Sequence, residues 1–141
     1  MKKSYLLIII LFNVILLTGC STEVEHSLDS EDMADLAVVR NQDFGNGTFE
    51  LLSNPISVDS KELEFITSEI DENKITYIYV ADKEVFKQKI KNEQPYKFSI
   101  KDVENAHSTE YNPKVQLVQY EKDNDMNNFT TFKQRSYQVE K

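Results

Sequence analysis

Ile75-Thr76-Tyr77-Ile78-Tyr79-Val80 decides the fold. Every residue in it is β-branched or aromatic, the chemistry that fits a pleated, half-buried surface. Ile75, Tyr77 and Tyr79 take one face of the strand, and Thr76, Ile78 and Val80 take the other. A strand apolar on both faces is expected inside a sheet rather than at its edge.

Toward the N-terminus, Asp71-Glu72-Asn73-Lys74 is a turn. Before it, Leu63 to Ile70 forms a strand with Leu63, Phe65 and Thr67 on one face. Pro55-Ile56-Ser57-Val58 opens another strand. Phe44 to Leu52 contains Asn46-Gly47, a short-range hairpin signal. Asn46-Gly47-Thr48 also matches a glycosylation sequon, but the turn is the preferred reading.

Toward the C-terminus the period changes. Asp82 can cap a short helix over Lys83 to Ile90, with Val85, Phe86 and Ile90 as its apolar side. Asn92-Glu93-Gln94-Pro95 ends that element, and Tyr96 to Ile100 alternates as a strand. Lys101 to Pro113 is a long polar connection. Val115 to Tyr120 is a strand, Asp123 to Asn128 a tight polar turn, and Phe129 to Val139 a last strand or two short ones. In that last stretch Phe129, Thr131 and Lys133 face one way, and Thr130, Phe132 and Gln134 the other.

Residues 43–141 are therefore expected to be mainly β, with five to six antiparallel strands and one short helix. No strand-helix-strand alternation repeats, so a parallel sheet is not expected. The run from Ile75 to Ile100 resembles the middle of an OB-like β-barrel: a long strand, a short excursion through Asp82-Lys83-Glu84-Val85-Phe86, then Tyr96-Lys97-Phe98-Ser99-Ile100. The alternative is an α+β, cystatin-like sheet wrapped on a helix, which calls for a longer helix than this stretch offers.

The first twenty residues are of another kind. Lys2 and Lys3 precede an apolar run from Leu6 to Leu17, broken only by Asn13. That run suits a secretory signal and is short for a membrane span of about 20 apolar residues. Leu17-Thr18-Gly19-Cys20 follows. This stretch resembles the lipobox of bacterial lipoprotein signal peptides, with leucine three residues before a cysteine and small residues between. The resemblance implies cleavage between Gly19 and Cys20 and a diacylglycerol on the Cys20 sulfur, with acyl chains such as palmitate. The expected location is the cell membrane, lipid-anchored on its extracytoplasmic face. Two or more acyl chains hold stably where one holds only marginally. Cys20 is the only cysteine of the 141 residues, which excludes a disulfide within the chain.

Residues 21–42 are polar and acidic, and are expected to form a flexible tether reaching roughly 25 Å for ~20 residues. Met33 to Val39 could add a helical turn or two, with Met33, Leu36, Ala37 and Val39 on its apolar side. His26 lies in this tether with no second histidine or cysteine near it except Cys20. The formal charge is −8, and loss of Lys2 and Lys3 would make it −10. Such a chain is repelled by nucleic-acid phosphates, so no nucleic-acid partner is expected.

Candidates for chemistry are few. His107 stands beside Ser108 and near Glu104 and Glu110, but no nucleophile elbow accompanies it. Acidic residues number 24, so any carboxylate pair is uninformative. Asp123-Asn124-Asp125-Met126-Asn127-Asn128 has oxygens at alternate positions, as in a calcium loop, yet the glycine and glutamate such a loop requires are Asn128 and Gln134. Three glycines make no phosphate loop. Lys87, Lys89 and Lys91 are expected on a solvated face; were the segment a strand, they would mark a cationic edge. Aromatic residues concentrate in residues 43–141, and an outward Tyr77 or Tyr79 is the first place to expect a partner surface.

The sequence thus predicts no catalytic residue, no metal and no cofactor. It predicts a non-enzymatic binding or accessory protein of the bacterial envelope, with a protein or cell-envelope partner. A small envelope hydrolase around His107, or a bacteriocin-type immunity lipoprotein, is the alternative.

Overall fold

The computed structural model describes residues 43–141. Cys20, Gly19, the tether, His26 and the Met33–Val39 segment lie outside the described residues. Nine strands follow one another: β1 Thr48–Leu51, β2 Ile56–Ser57, β3 Glu62–Ser68, β4 Thr76–Val80, β5 Lys83–Gln88, β6 Tyr96–Ser99, β7 Lys114–Lys122, β8 Asp125–Ser136 and β9 Val139–Glu140.

They form three sheets: β5-β4-β7-β8, β1-β3-β6, and the two-stranded β2-β9. The two larger sheets are antiparallel throughout. The fold is mainly β, as the composition of β4 implies. β4 lies between β5 and β7, and its two faces serve two different apolar clusters.

Ile78 and Val80 join Val115 and Leu117 of β7 in the larger cluster. From the other sheet come Phe49, Leu63, Phe65 and Phe98. The two sheets therefore share one core. Leu63, Phe65 and Thr67 are the buried half of β3, as its alternation requires. Phe65 is the hub, with ring centroids of Phe49, Phe86, Tyr96 and Phe98 at 5.6, 5.4, 5.8 and 5.8 Å. Phe49 and Phe65 are fully buried, and a side chain so buried stabilises the fold by roughly 1.5–3 kcal/mol relative to exposure, while Phe86 and Tyr96 are only partly covered. The polar connection after β6 also contributes. Val103 and Ala106 enter the same cluster, and the buried Tyr137 hydroxyl donates to the Ala106 carbonyl at 2.6 Å.

The described residues form nine strands rather than the expected five to six, β2 and β9 being pieces of two residues each, and four further expectations need correction. First, Lys83 to Ile90 is not a helix, and no helix occurs among the described residues. Ala81 and Asp82 take φ of 45° and 66° and turn the chain straight back, so that Val80 opposes Lys83. Such a two-residue mirror-type turn matches strand twist. β5 then satisfies the hydrogen-bonding edge of β4 that a helix would leave open. This removes the basis for the cystatin-like alternative.

Second, the described sheets do not close into a barrel: β5 and β8 are edges of one sheet, β1 and β6 of the other. Third, a parallel ladder does exist, the short pairing of Ile56 with Val139 and Ser57 with Glu140.

Fourth, Asn46-Gly47 does not join two paired strands. Phe44 bridges Phe132 in β8 through mutual hydrogen bonds of 2.7 and 3.0 Å, whereas β1 pairs with β3. The Asn-Gly turn carries the chain from one sheet to the other. Gly45 and Gly47 both have positive φ, 76° and 80°. The buried Lys133 ammonium holds this entry loop by donating to the Gly45 carbonyl at 2.8 Å.

Candidate functional site

The second face of β4 points away from the shared core. Tyr77, Val118 and Phe132 are buried there, with Phe44, Ile75, Tyr79, Tyr120 and Phe129 packed on them and partly exposed. The register sets Tyr77 of β4 opposite Val118 of β7 and Tyr79 opposite Gln116, and strand alternation puts Tyr120 on the same face.

β8 reaches the same face by an irregularity. Gln119 opposes Thr131 and Tyr120 opposes Phe129, so Thr130 is an extra residue in the ladder. This bulge turns Phe129 and Phe132 to the same side, with ring centroids 5.9 Å apart. Strict alternation would put them on opposite faces, and the bulge corrects that expectation.

The result is an open pocket of about 320 Å³. Tyr79, Tyr120, Phe129 and Phe132 supply its rings; Val118 and Met126 add apolar surface; Gln116 and Asp82 complete it. Tyr77 is not part of the lining. It is fully buried, donates its hydroxyl proton to the Asp123 carbonyl at 3.2 Å, and lies under the Lys87 ammonium, 5.0 Å from its ring centroid. Of the two tyrosines the sequence singles out, Tyr79 is the accessible one.

The Tyr79 and Tyr120 hydroxyls meet at 3.4 Å. Burial, then the Tyr120 hydroxyl, push the Tyr79 phenol well above its ordinary value. Met126 is 55% exposed on the rim. Asp82 is the only charged side chain in the lining. Neighbouring lysines are engaged elsewhere: Lys83 donates to the Asp102 carbonyl at 2.7 Å and Lys87 covers Tyr77.

The other candidates fall apart in space. His107 Nε2 lies 2.6 Å from the Ser60 carbonyl oxygen, which it fills as a loop staple. Ser108 Oγ accepts from the Glu110 amide at 3.3 Å rather than facing the imidazole. Of the calcium-loop stretch, only Asp123-Asn124 is turn, and Asp125 to Asn128 belongs to β8. Asp125 Oδ1 is already bound by the Asn127 backbone and side-chain N–H groups at 3.1 and 3.0 Å. Among the described residues no three His, Cys, Asp or Glu side chains gather as metal ligands would. Lys87 lies on the β5 edge strand, whereas Lys91 pairs with Glu72 at 2.9 Å.

Elsewhere, a polar pocket of about 280 Å³ lies between Asn46, Glu69, Asp71, Lys74 and Thr131. Behind it, Gln119 Nε2 donates to the Asp71 carbonyl at 2.8 Å and to Thr76 Oγ1 at 3.0 Å. These contacts tie the turn before β4 to β7. No protein-family model, curated protein or solved structure matches the chain.

Proposed function

We propose that this chain is a lipid-anchored binding or accessory protein on the extracytoplasmic face of a bacterial cell membrane. It acts without enzymatic chemistry, through the outer aromatic face of the β5-β4-β7-β8 sheet. The observation that carries the reading is the open pocket bounded by Tyr79, Tyr120, Phe129 and Phe132, with Met126 exposed at its rim. Apolar surface gathered on one accessible face marks an interaction site more often than surface scattered singly. Rigid aromatic side chains give contact area at low entropy cost. The lipobox at Leu17 to Cys20 supports the location and the anchor. The hydrolase alternative has less support, because the His107 ring nitrogen is engaged with the Ser60 carbonyl.

The test uses a photoreactive side chain at Met126, with Glu50 on the opposite sheet as control, in intact cells. A discrete membrane-fraction adduct is expected from Met126 and none from Glu50. Cys20→Ala should release the protein from the membrane and abolish the adduct. Equal labelling from both positions, or a Cys20→Ala protein still in the membrane, overturns the reading.

A further inference from the structure

We propose that the aromatic pocket receives a single cationic side chain, the ammonium of a lysine or the guanidinium of an arginine, from a protein or peptide partner. This deepens the proposed function and rests on it.

Four observations carry it. The lining combines ring surfaces with one carboxylate. Aromatic faces carry a negative quadrupole, and a cation within about 6 Å of a ring centroid is attracted to it. Tyr79, Tyr120, Phe129 and Phe132 supply rings, and Asp82 supplies the only formal charge. The same sheet already shows this chemistry, since the Lys87 ammonium sits 5.0 Å from the Tyr77 ring centroid. Cations of this chain therefore do adopt the geometry, and the pocket beside it has none in its lining.

Size is the second observation. At about 320 Å³ the pocket is at the bottom of the range of small-molecule sites, about 300–1,000 Å³. It suits one long side chain with its flanking backbone.

The third is hydrogen-bonding character. The lining offers oxygens: the Asp82 carboxylate and the paired Tyr79 and Tyr120 hydroxyls. An ammonium or guanidinium brings N–H donors that use them; a quaternary ammonium does not. The fourth is net charge. At −8 the chain attracts cationic partners and repels anionic groups. A choline-type headgroup carries a phosphate as well as its cation, so a peptide is the better match.

The test is an NMR titration of the full chain, purified in nonionic detergent, following the Tyr79 and Tyr120 ring resonances. The probes are N-acetyl-lysine methylamide, n-butylammonium, n-pentanol and phosphocholine. Saturable shifts are expected with both primary ammonium probes, and at least about threefold weaker binding with the neutral alcohol.

Asp82→Asn should weaken the ammonium probes at least about threefold and leave pentanol unchanged. Asparagine tolerates the positive φ of this turn position, so the variant keeps its hairpin. Tyr120→Leu, which removes a ring but no formal charge, should weaken the ammonium probes more than pentanol.

Equal affinity for pentanol and butylammonium, or indifference to Asp82→Asn, overturns the proposal. Phosphocholine binding with a silent lysine derivative overturns the peptide assignment in favour of a headgroup. A silent pocket here, together with a retained Met126 adduct in cells, removes the cation assignment and leaves the docking face standing.

Discussion

At the scale of single residues, the two sheets are joined by positions that admit no side chain. A Cβ on Gly47 would stand 2.4 Å from the Ser68 carbonyl oxygen, 2.7 Å from the Glu69 carbonyl carbon and 2.8 Å from Ile70 Cγ2. Two of those atoms are backbone, so relief requires moving the end of β3. The φ of +80° adds strain for any L side chain. Gly47→Ala should therefore cost about 2–3 kcal/mol. A urea titration would show it as a lower midpoint with an unchanged slope. Gly45 has the same demand from the other side, its notional Cβ 2.2 Å from the Thr130 carbonyl oxygen. The Asn-Gly pair was legible as a turn. Which sheets it connects was not, because that depends on Phe132, far along the chain.

At the scale of elements, the β4–β5 hairpin shows both what local chemistry reveals and where it misleads. Ala81 holds φ of 45° without the freedom of glycine or the tolerance of asparagine. Ala81→Asn should stabilise the fold by about 0.5–1 kcal/mol. Calorimetry should record a melting temperature about 2–8 °C higher, given roughly 4–8 °C per kcal/mol in a domain of this size.

The same hairpin explains the missed strand. Ile78 opposes Phe86 and Tyr79 opposes Glu84, which leaves Val85 as an extra residue. Val85 and Phe86 therefore both pack on the core, and two adjacent inward apolar residues erase the period of two. The remaining pattern imitates a helical stripe. β3 has no such insertion along its buried face, and its alternation of Leu63, Phe65 and Thr67 is plain in the sequence. The site divides in the same way. Tyr79 was visible as an outward tyrosine of a regular strand. Phe129 and Met126 were not, because the irregular half of β8 delivers them.

At the scale of the whole molecule, Asp43 links the start of the described chain to its last long strand. Its carboxylate accepts from Nη1 and Nη2 of Arg135, both at 2.9 Å, and from the Gln134 amide at 3.1 Å. Burial alone would raise its pKa, but the hydrogen bonds from Arg135 and Gln134 and the charges of Arg135 and Lys133 outweigh it and hold it low. A depressed carboxyl stabilises the fold above its unfolded value of about 3.9 and loses that contribution as pH falls through the folded value.

Asp43→Asn should thus lower stability by about 0.5–1 kcal/mol at neutral pH, the range of a partly exposed ion pair. The gap from the unsubstituted protein should narrow as the pH drops below the unfolded value of about 3.9 and close once it has passed the depressed folded value. Thermal melts at both ends of that range check it; a gap independent of pH would show that the carboxylate charge is not involved.

The Phe44 bridge has a mechanical consequence. A pull on the chain ahead of Asp43 meets the Arg135 fork first and the Phe44–Phe132 rung immediately behind it, before any load reaches β1. Those bonds lie beside the aromatic pocket, because Phe44 packs edge-on against Phe129 at 5.9 Å. Tension on the chain ahead of Asp43 would therefore be felt at the outer aromatic face of the sheet before it is felt by the shared core, and any contact that held Phe129 in place would stiffen the clasp that carries the strain.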